Sequence, residues 1–517
     1  MIRKRFLFRT IICLLLTLMS YCEAFAVTIE VATEGTLAQV IDDSDEPSFK
    51  TLKIVGRLNA ADIKYLRTGT GRLVSIETLD LSDVILVSGE DSYATIKLTI
   101  DDGLMSTGKA YFYVSDENRC EVSRKNNALG GYDYTYNYYG NQFAGAFAQM
   151  KYKEVIMPKG QKEIAPYTFY QCENLTSVVL DNPLESIGEY AFSGCSVLTD
   201  VDLSYVTQMG DYAFSSCPLF RGNEEGTVNL SSLNIIPVRA FAPKQGGNFN
   251  NTAIKHVVFS DQLTEIGSEA FYLCKALESI TLPESLTKIG MSAFSSCSSL
   301  TTAVIPATVT GINYYVFSGT PFINSLPVEN NVVYLGTTAL CYQGSGQNLS
   351  LVFREGTTDI ASSFISASRG YSSLQSIQFP SSLKRIGSGA FSGAYQLTEI
   401  AFPEGLEEIG DRAFYQYTPS SSGTELNIET LTFPSTLKRI GIEAFKNWMK
   451  ITAISFPESL ESIGDYAFDG CPITGEVVIP RNIKQLGCYI FGYQSNVWRI
   501  NYQAESAENG TSWNNKY

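Results

Sequence analysis

Chemistry at neutral pH needs convergent side chains that change protonation or attack as nucleophiles, and this chain offers few in suitable company. Its single histidine, His256, lies in the alternating run Ile254-Lys255-His256-Val257-Val258-Phe259, where period-two patterning turns it outward from a strand. Cysteine is more abundant, with eleven copies. Six of them, Cys172, Cys195, Cys217, Cys274, Cys297 and Cys471, each stand three residues after a phenylalanine; that is the spacing of a repeat rather than of a metal or redox motif, and it reads as a ladder of buried thiols. No C-x-x-C pair occurs, and one histidine cannot complete a tetrahedral set, so neither a metal nor another cofactor is expected. A phosphate loop, a nucleophile elbow and a zinc motif are all missing from the sequence. Carboxylates are plentiful, at 53, and a glycosidase-type pair among them is the one enzymatic alternative to a protein with no catalytic residues.

The elements that would have to position such groups are set by a repeated phrase: an aliphatic residue, Gly, two variable residues, Ala, Phe. It ends at Phe192, Phe271, Phe294, Phe391, Phe414, Phe445 and Phe468, and the commonest Phe-to-Phe distance is 23 residues. A fixed period of this size means a solenoid, in which no coil buries its apolar face alone and stacked neighbours share one core. Weaker copies at Phe147, Phe169, Phe214, Phe241, Phe317, Leu340, Phe364 and Phe491 extend the register to fifteen coils. Between phrases runs Leu-x-x-Ile-x-Leu-Pro, as from Leu277 to Pro283. Its alternation is a short strand with one buried face, closed by a proline that cannot donate to a ladder. The fold class is therefore an α/β-type leucine-rich repeat solenoid: coils of about 23 residues, parallel strands on the concave face, turns and Ala-Phe segments opposite.

Residues 1–26 read as a signal peptide. Arg3, Lys4, Arg5 and Arg9 make a basic start, an apolar core follows, and Ala24-Phe25-Ala26 is a small-x-small cleavage site. A lipoprotein acylated at Cys22 is the competing reading, disfavoured by the bulky Tyr21. The expected localisation is export, to the medium or the cell surface, with no membrane span. Removal of the leader takes away four basic side chains and one acid, leaving 34 against 52, a net charge of −18. That balance argues against nucleic acid. Residues 27–93 keep leucine-rich character without the phrase and read as an N-terminal cap. Residues 94–142 break the pattern and read as a Tyr-rich projecting insertion, a strand pair or long loop; 143–500 form the solenoid and 501–517 a tail.

Candidate binding residues follow from the strand pattern. The variable positions of Leu-x-x-Ile-x-Leu face outward and include Glu278, Ser279, Thr281, Thr301, Thr302, Gln375, Gln378, Thr398, Glu399, Thr430 and Thr432. Such residues suit a polar partner, although Thr and Ser are also ordinary exposed strand residues. Extra residues enter at one place in the coil, between the Phe and the next strand, at 221–226, 244–251, 366–371 and 415–423. Insertions along one edge mark a binding surface in many solenoids and are also cheap in loops. Tyr415 and Tyr417 in the last of them join the candidates.

Over residues 147 to 491 the phrase I-G-x-x-A-F-x-x-C-x-x-L-x-x-I-x-L-P resembles the BspA-like leucine-rich repeat surface proteins. The run from Asn59 to Arg67, followed by Leu79-Asp80-Leu81-Ser82-Asp83, looks like the N-terminal cap of such proteins from Bacteroides relatives. What the resemblance implies is an exported or cell-surface protein that adheres to a host protein, another bacterium or a glycan. A structural, self-associating surface-coat role stands as the alternative. The shared motif is core-forming, so it transfers no functional residue.

Overall fold

The computed structural model describes residues 26–44, 50–68, 71–87, 94–100, 120–126, 132–138, 145–243, 250–344, 349–365, 374–417, 428–492 and 496–502. The leader up to residue 25, most of the insertions at 244–251, 366–371 and 415–423, and the tail beyond 502 lie outside them. Two compact units, Met1–Thr308 and Val309–Tyr517, divide the chain. Each is a parallel β-solenoid.

In the first unit Ala26–Val31, Thr51–Leu58 and Thr78–Leu86 pair in parallel, and the same sheet runs on into the coil strands Glu154–Ile156 and Ser177–Val179. Short helices, Leu37–Asp42 and Ala60–Thr68, make the crossovers. Asp62, 1% exposed, ties them down by accepting from the backbone N–H groups of Gly35, Leu37 and Asn59 at 2.7, 2.9 and 3.0 Å. The Tyr-rich run Tyr132–Tyr138 is the centre of a three-stranded antiparallel sheet, between Ala94–Ile100 and Cys120–Asn126. Neither a strand pair nor a long loop describes it. The third strand was hidden because Cys-Glu-Val-Ser-Arg-Lys-Asn carries a single clear apolar residue, Val122.

Each regular coil carries two parallel ladders where the sequence showed one. The first is the expected strand, as in Ser279–Thr281 against Thr302–Val304. The second is a two-residue strand ending on the Ile of Ile-Gly, and in the second unit it dominates a nine-stranded sheet. Here the Gly N–H bonds back to the previous coil, Gly290 to Ile266 O at 2.7 Å. On the Ala-Phe arm the N–H bonds forward instead, Phe271 to Ala293 O at 2.8 Å.

The core lies between these arms. Phe147, Phe169, Phe192, Phe214, Phe241, Phe271 and Phe294 form one stacked column with successive centroids 5.0–5.7 Å apart. Phe391, Phe414, Phe445, Phe468 and Phe491 repeat it in the second unit at 5.2–6.3 Å. A second column there, Phe353, Phe379, Phe402, Phe433 and Phe456, packs beside it at 5.9–6.1 Å.

The six repeat cysteines are buried free thiols, and they are more than filler. Each Sγ donates to the carbonyl of the Phe one coil earlier, over 2.9–3.9 Å. Trp448 takes the same place in its coil and donates Nε1–H to Phe414 O at 2.5 Å. At four of the six cysteine places the same carbonyl also accepts the backbone N–H three residues on, as Phe147 O does from Met150 N at 3.1 Å, so the thiol occupies its second lone pair. Burial pushes the thiols of Cys172, Cys217, Cys297 and Cys471 up to about 12.

Two assigned repeat positions move. Leu340 does not close an Ile-Gly-x-x-Ala-Phe coil: Val332–Leu335 and Thr338–Tyr342 form an antiparallel hairpin turning at Gly336. In the next coil the Phe place belongs to Ile365, whose N–H bonds to Ala390 O at 3.1 Å, while Phe364 stands in the Ala place. Both remain fully buried.

Candidate binding surfaces

The outward residues of the first ladder fall into two groups. Glu278, Ser279, Thr281, Thr301 and Thr302 lie together in the first unit, all exposed, with Ser279 opposite Thr302 across paired strands. Gln375, Gln378, Thr398, Glu399, Thr430 and Thr432 belong to the second unit, exposed apart from half-buried Gln375. Thr301 N and Thr398 N continue the ladder to Glu278 O and Gln375 O at 3.0 and 2.9 Å. The surface is less polar than it reads from these residues alone. Val179, Val258 and Val304, 41%, 46% and 54% exposed, occupy outward places in the same unit as Glu278, as β-branched strand residues do. His256 is exposed at the start of its strand.

Of the insertion residues, Tyr417 is exposed and Tyr415 half-buried, their rings edge to face at 5.2 Å with Arg412 lying over Tyr415. The 221–226 insertion is a tight loop around Asn223, whose Oδ1 accepts from Glu225 N and Thr227 N at 3.0 and 2.9 Å.

Two columns of side chains, the first buried to half-buried and the second nearer solvent, escaped the strand pattern. One is the residue two before each Phe, which sits in the left-handed backbone region in coil after coil: Tyr167, Tyr190, Tyr212, Arg239, Glu269 and Ser292 in the first unit. Such a conformation is strained for residues other than Gly and Asn. It turns each N–H toward the next coil, as from Tyr190 to Asp211 O at 3.0 Å. Tyr167, Tyr190 and Tyr212 stack at 5.0 and 4.6 Å, and Arg239 covers the last ring while ion-pairing with Glu269. Beside them Asp211 accepts from Val238 N at 2.9 Å. Burial, reinforced by the Asp211 charge, lifts the Glu189 carboxyl from 4.5 to about 7.

The other column belongs to the second unit and alternates in charge. Lys384, Glu407, Lys438, Glu461 and Lys484 stand on successive coils, with Glu407 to Lys438 at 2.7 Å and Glu461 to Lys484 at 2.9 Å. Next to it Arg439 bridges Glu408 and Asp411 at 2.6 and 2.9 Å. The Lys438 ammonium beside Glu407 holds that carboxyl below its ordinary range. Exposed pairs of this kind are each worth about 0–1 kcal/mol, so the zipper mainly fixes coil register. Its signal is legible in the sequence, in the two residues before Ile386, Ile409, Ile440, Ile463 and Leu486: Lys-Arg, Glu-Glu, Lys-Arg, Glu-Ser, Lys-Gln.

Among the described residues no group of three or more His, Cys, Asp or Glu side chains could hold a metal ion. No described helix is long and apolar enough to cross a membrane.

Stacked parallel coils with a Phe column inside and polar columns outside define a leucine-rich repeat solenoid. The chain belongs to the BspA-type leucine-rich repeat family, whose model matches residues 143–244, 245–370, 369–422 and 422–512 in six copies. Proteins of this type are typically surface or secreted proteins engaged in protein interaction. Among solved structures the chain is similar to a leucine-rich cell surface protein of Faecalibacterium prausnitzii A2-165, 23% identical over 60% of this chain and 81% of that one, TM-score 0.26. It is also similar to a leucine-rich repeat protein of Bacteroides ovatus (23% identical, 62% and 88% covered, TM-score 0.26). A third is the pneumococcal vaccine antigen PcpA (20% identical, 69% of each chain covered, TM-score 0.25). No curated protein matches the chain.

Proposed function

We propose that this is an exported, non-enzymatic adhesin that docks a host protein, another bacterium's surface or a glycan along the outward face of its coils. The observation that carries this reading is the first ladder. Its exposed Ser, Thr, Gln and Glu side chains recur on parallel, hydrogen-bonded strands, as at Ser279 and Thr302. A row of donors and acceptors repeated coil after coil suits an extended partner better than a small substrate. Exposed valines interleaved with it, Val258 and Val304, supply the apolar contacts a macromolecular interface needs.

The test is binding of the chain from Val27 onward to immobilised matrix proteins, mucins and polysaccharides at physiological salt. A saturable hit weakened by charge reversal at Glu278 or Glu399, or by trimming residues 415–423, supports the reading and locates the surface. Silence across the array, with concentration-dependent self-assembly by light scattering, supports the coat role in its place.

A further inference from the structure

Two long strands of the first-ladder kind have a neighbour on one side only among the described residues. Ala26–Val31 opens the sheet that continues through Thr51–Leu58 and Thr78–Leu86, and Asn496–Tyr502 is the outer strand of the pair it makes with Thr474–Ile479. All these pairings are parallel. An edge of this kind presents a row of backbone N–H and C=O groups ready to pair with another chain.

The two edges are opposite in charge. From Val27 to Phe49 the sequence holds six acids, Glu30, Glu34, Asp42, Asp43, Asp45 and Glu46, and no Lys or Arg; the first four are exposed. From Arg481 to Tyr502 it holds three bases, Arg481, Lys484 and Arg499, and no Asp or Glu. These bases pair back to the coil before, with Glu458, Glu461 and Glu476 at 3.9, 2.9 and 3.8 Å, yet their side chains stay 63–73% exposed. Such a basic rim stands out in a chain of net charge −15. Charge along an edge ordinarily keeps copies apart. Here it keeps like edges apart and draws unlike edges together.

The side chains fit the same pairing. Arg499 lies opposite Glu476 and Ile500 opposite Val477. Val477 is 2% exposed and Ile500 51%, so the inward row reaches Ile500 with nothing described covering its outer side. In Ala26–Val31 the buried Ile29 and Val31 alternate with exposed Thr28 and Glu30. With Glu30 set beside Arg499, Val31 falls beside Ile500, and the inward and outward rows both stay in step. Arg499 would then lie between two acids, as Lys438 lies between Glu407 and Glu461. Two copies meeting at the same edge would set acid against acid or base against base, so the favoured contact is heterologous. We propose that the Asn496–Tyr502 edge of one copy receives the Ala26–Val31 strand of a second copy as its next parallel strand, with the Arg499–Glu30 pair setting the register. This contact uses strand edges and not the outward rows, so it stands or falls independently of what those rows bind.

The experiment is sedimentation velocity on the chain from Val27 onward, from about 1 to about 200 μM at physiological salt. The mass should rise with concentration and fall back in about 1 M NaCl, where charges are screened beyond about 3 Å. Glu30→Lys and Arg499→Glu should each weaken association about tenfold. Thermal melting should stay unchanged in both, because the two side chains are exposed. Combining them in one chain restores opposite charges across the contact and should bring association back to within about threefold of the unaltered chain. A chain that stays monomeric throughout, its edge left to residues 503–517 or to another protein, overturns the proposal. So does association untouched by either reversal, or a double variant no better than the single ones.

Discussion

Replacing Gly290 by Ala tests how closely the coils are drawn together. A Cβ on Gly290 would lie 2.3 Å from Ser268 N and 2.6 Å from both Gly267 C and Ser268 Cα. Ordinary contact begins near about 3.4 Å, so the arms must part by roughly 1 Å, and backbone cannot yield as a flexible side chain does. The Gly290 N–H to Ile266 O bond, 2.7 Å long, would stretch beyond hydrogen-bonding range. Its loss costs about 1 kcal/mol and overpacking about 1–3, against about 0.4–1 regained from the stiffer unfolded chain. The net expectation is about 2–3 kcal/mol, read as a lowered urea midpoint, with Ser299→Ala as a control inside about 0.5 kcal/mol. Because a coil touches only its neighbours, hydrogen exchange should accelerate in the coils of Phe271 and Phe294 and not in that of Phe169. A loss below about 0.5 kcal/mol, or one spread evenly over the unit, would refute the close-approach argument.

Truncating Phe294 to Ala should cost about 3–5 kcal/mol by the same denaturation measurement; under about 1 would mean the column does not hold the core. Among the cysteines whose burial is described, a thiol reagent at neutral pH should label Cys488, which is exposed, and spare Cys172, Cys195, Cys217, Cys274, Cys297, Cys341 and Cys471 in the native protein until urea is added. Peptide mapping reads the outcome, and native labelling of the buried set would contradict it. Glu189→Gln should stabilise the first unit at high pH. With the folded pKa raised to about 7 from 4.5, the folded state disfavours the charged carboxylate. The penalty is absent below about pH 4.5, grows up to about pH 7 and is complete above it. The variant should gain about 1–2 kcal/mol at pH 8, moderated by partial exposure, and nothing at pH 4; equal melting shifts at both would remove Glu189 as the cause.

The coil, its Phe column and the outward strand rows were legible because each recurs at one spacing with one residue type. The second ladder was not. Two residues, such as Lys288–Ile289, are too few for alternation to register. The left-handed column was hidden for a different reason: its places hold Tyr, Arg, Glu and Ser where local preference points to Gly or Asn, and inter-coil hydrogen bonding overrides that preference. At Phe364 the aromatic side chain outweighed the better clue. Arg354 stands in the strand-ending Pro place, and eleven residues on, the interval kept by the strand-ending prolines Pro380, Pro403, Pro434, Pro457 and Pro480, is Ile365. In the three-stranded antiparallel sheet the strand Cys120–Asn126 lies in a polar stretch, and only its backbone pairing with Tyr132–Tyr138 reveals it.

The outward rows are also a ruler. Neighbouring strands lie about 4.8 Å apart, so equivalent side chains such as Ser279 and Thr302 are graduations at that interval. A partner whose own groups recur at the same interval stays in step from coil to coil, and every added coil adds contact. One with a different interval drifts, as on a vernier, until its groups face the gaps. For that partner added coils bring no added grip, and selectivity resides in rhythm as much as in the identity of any side chain.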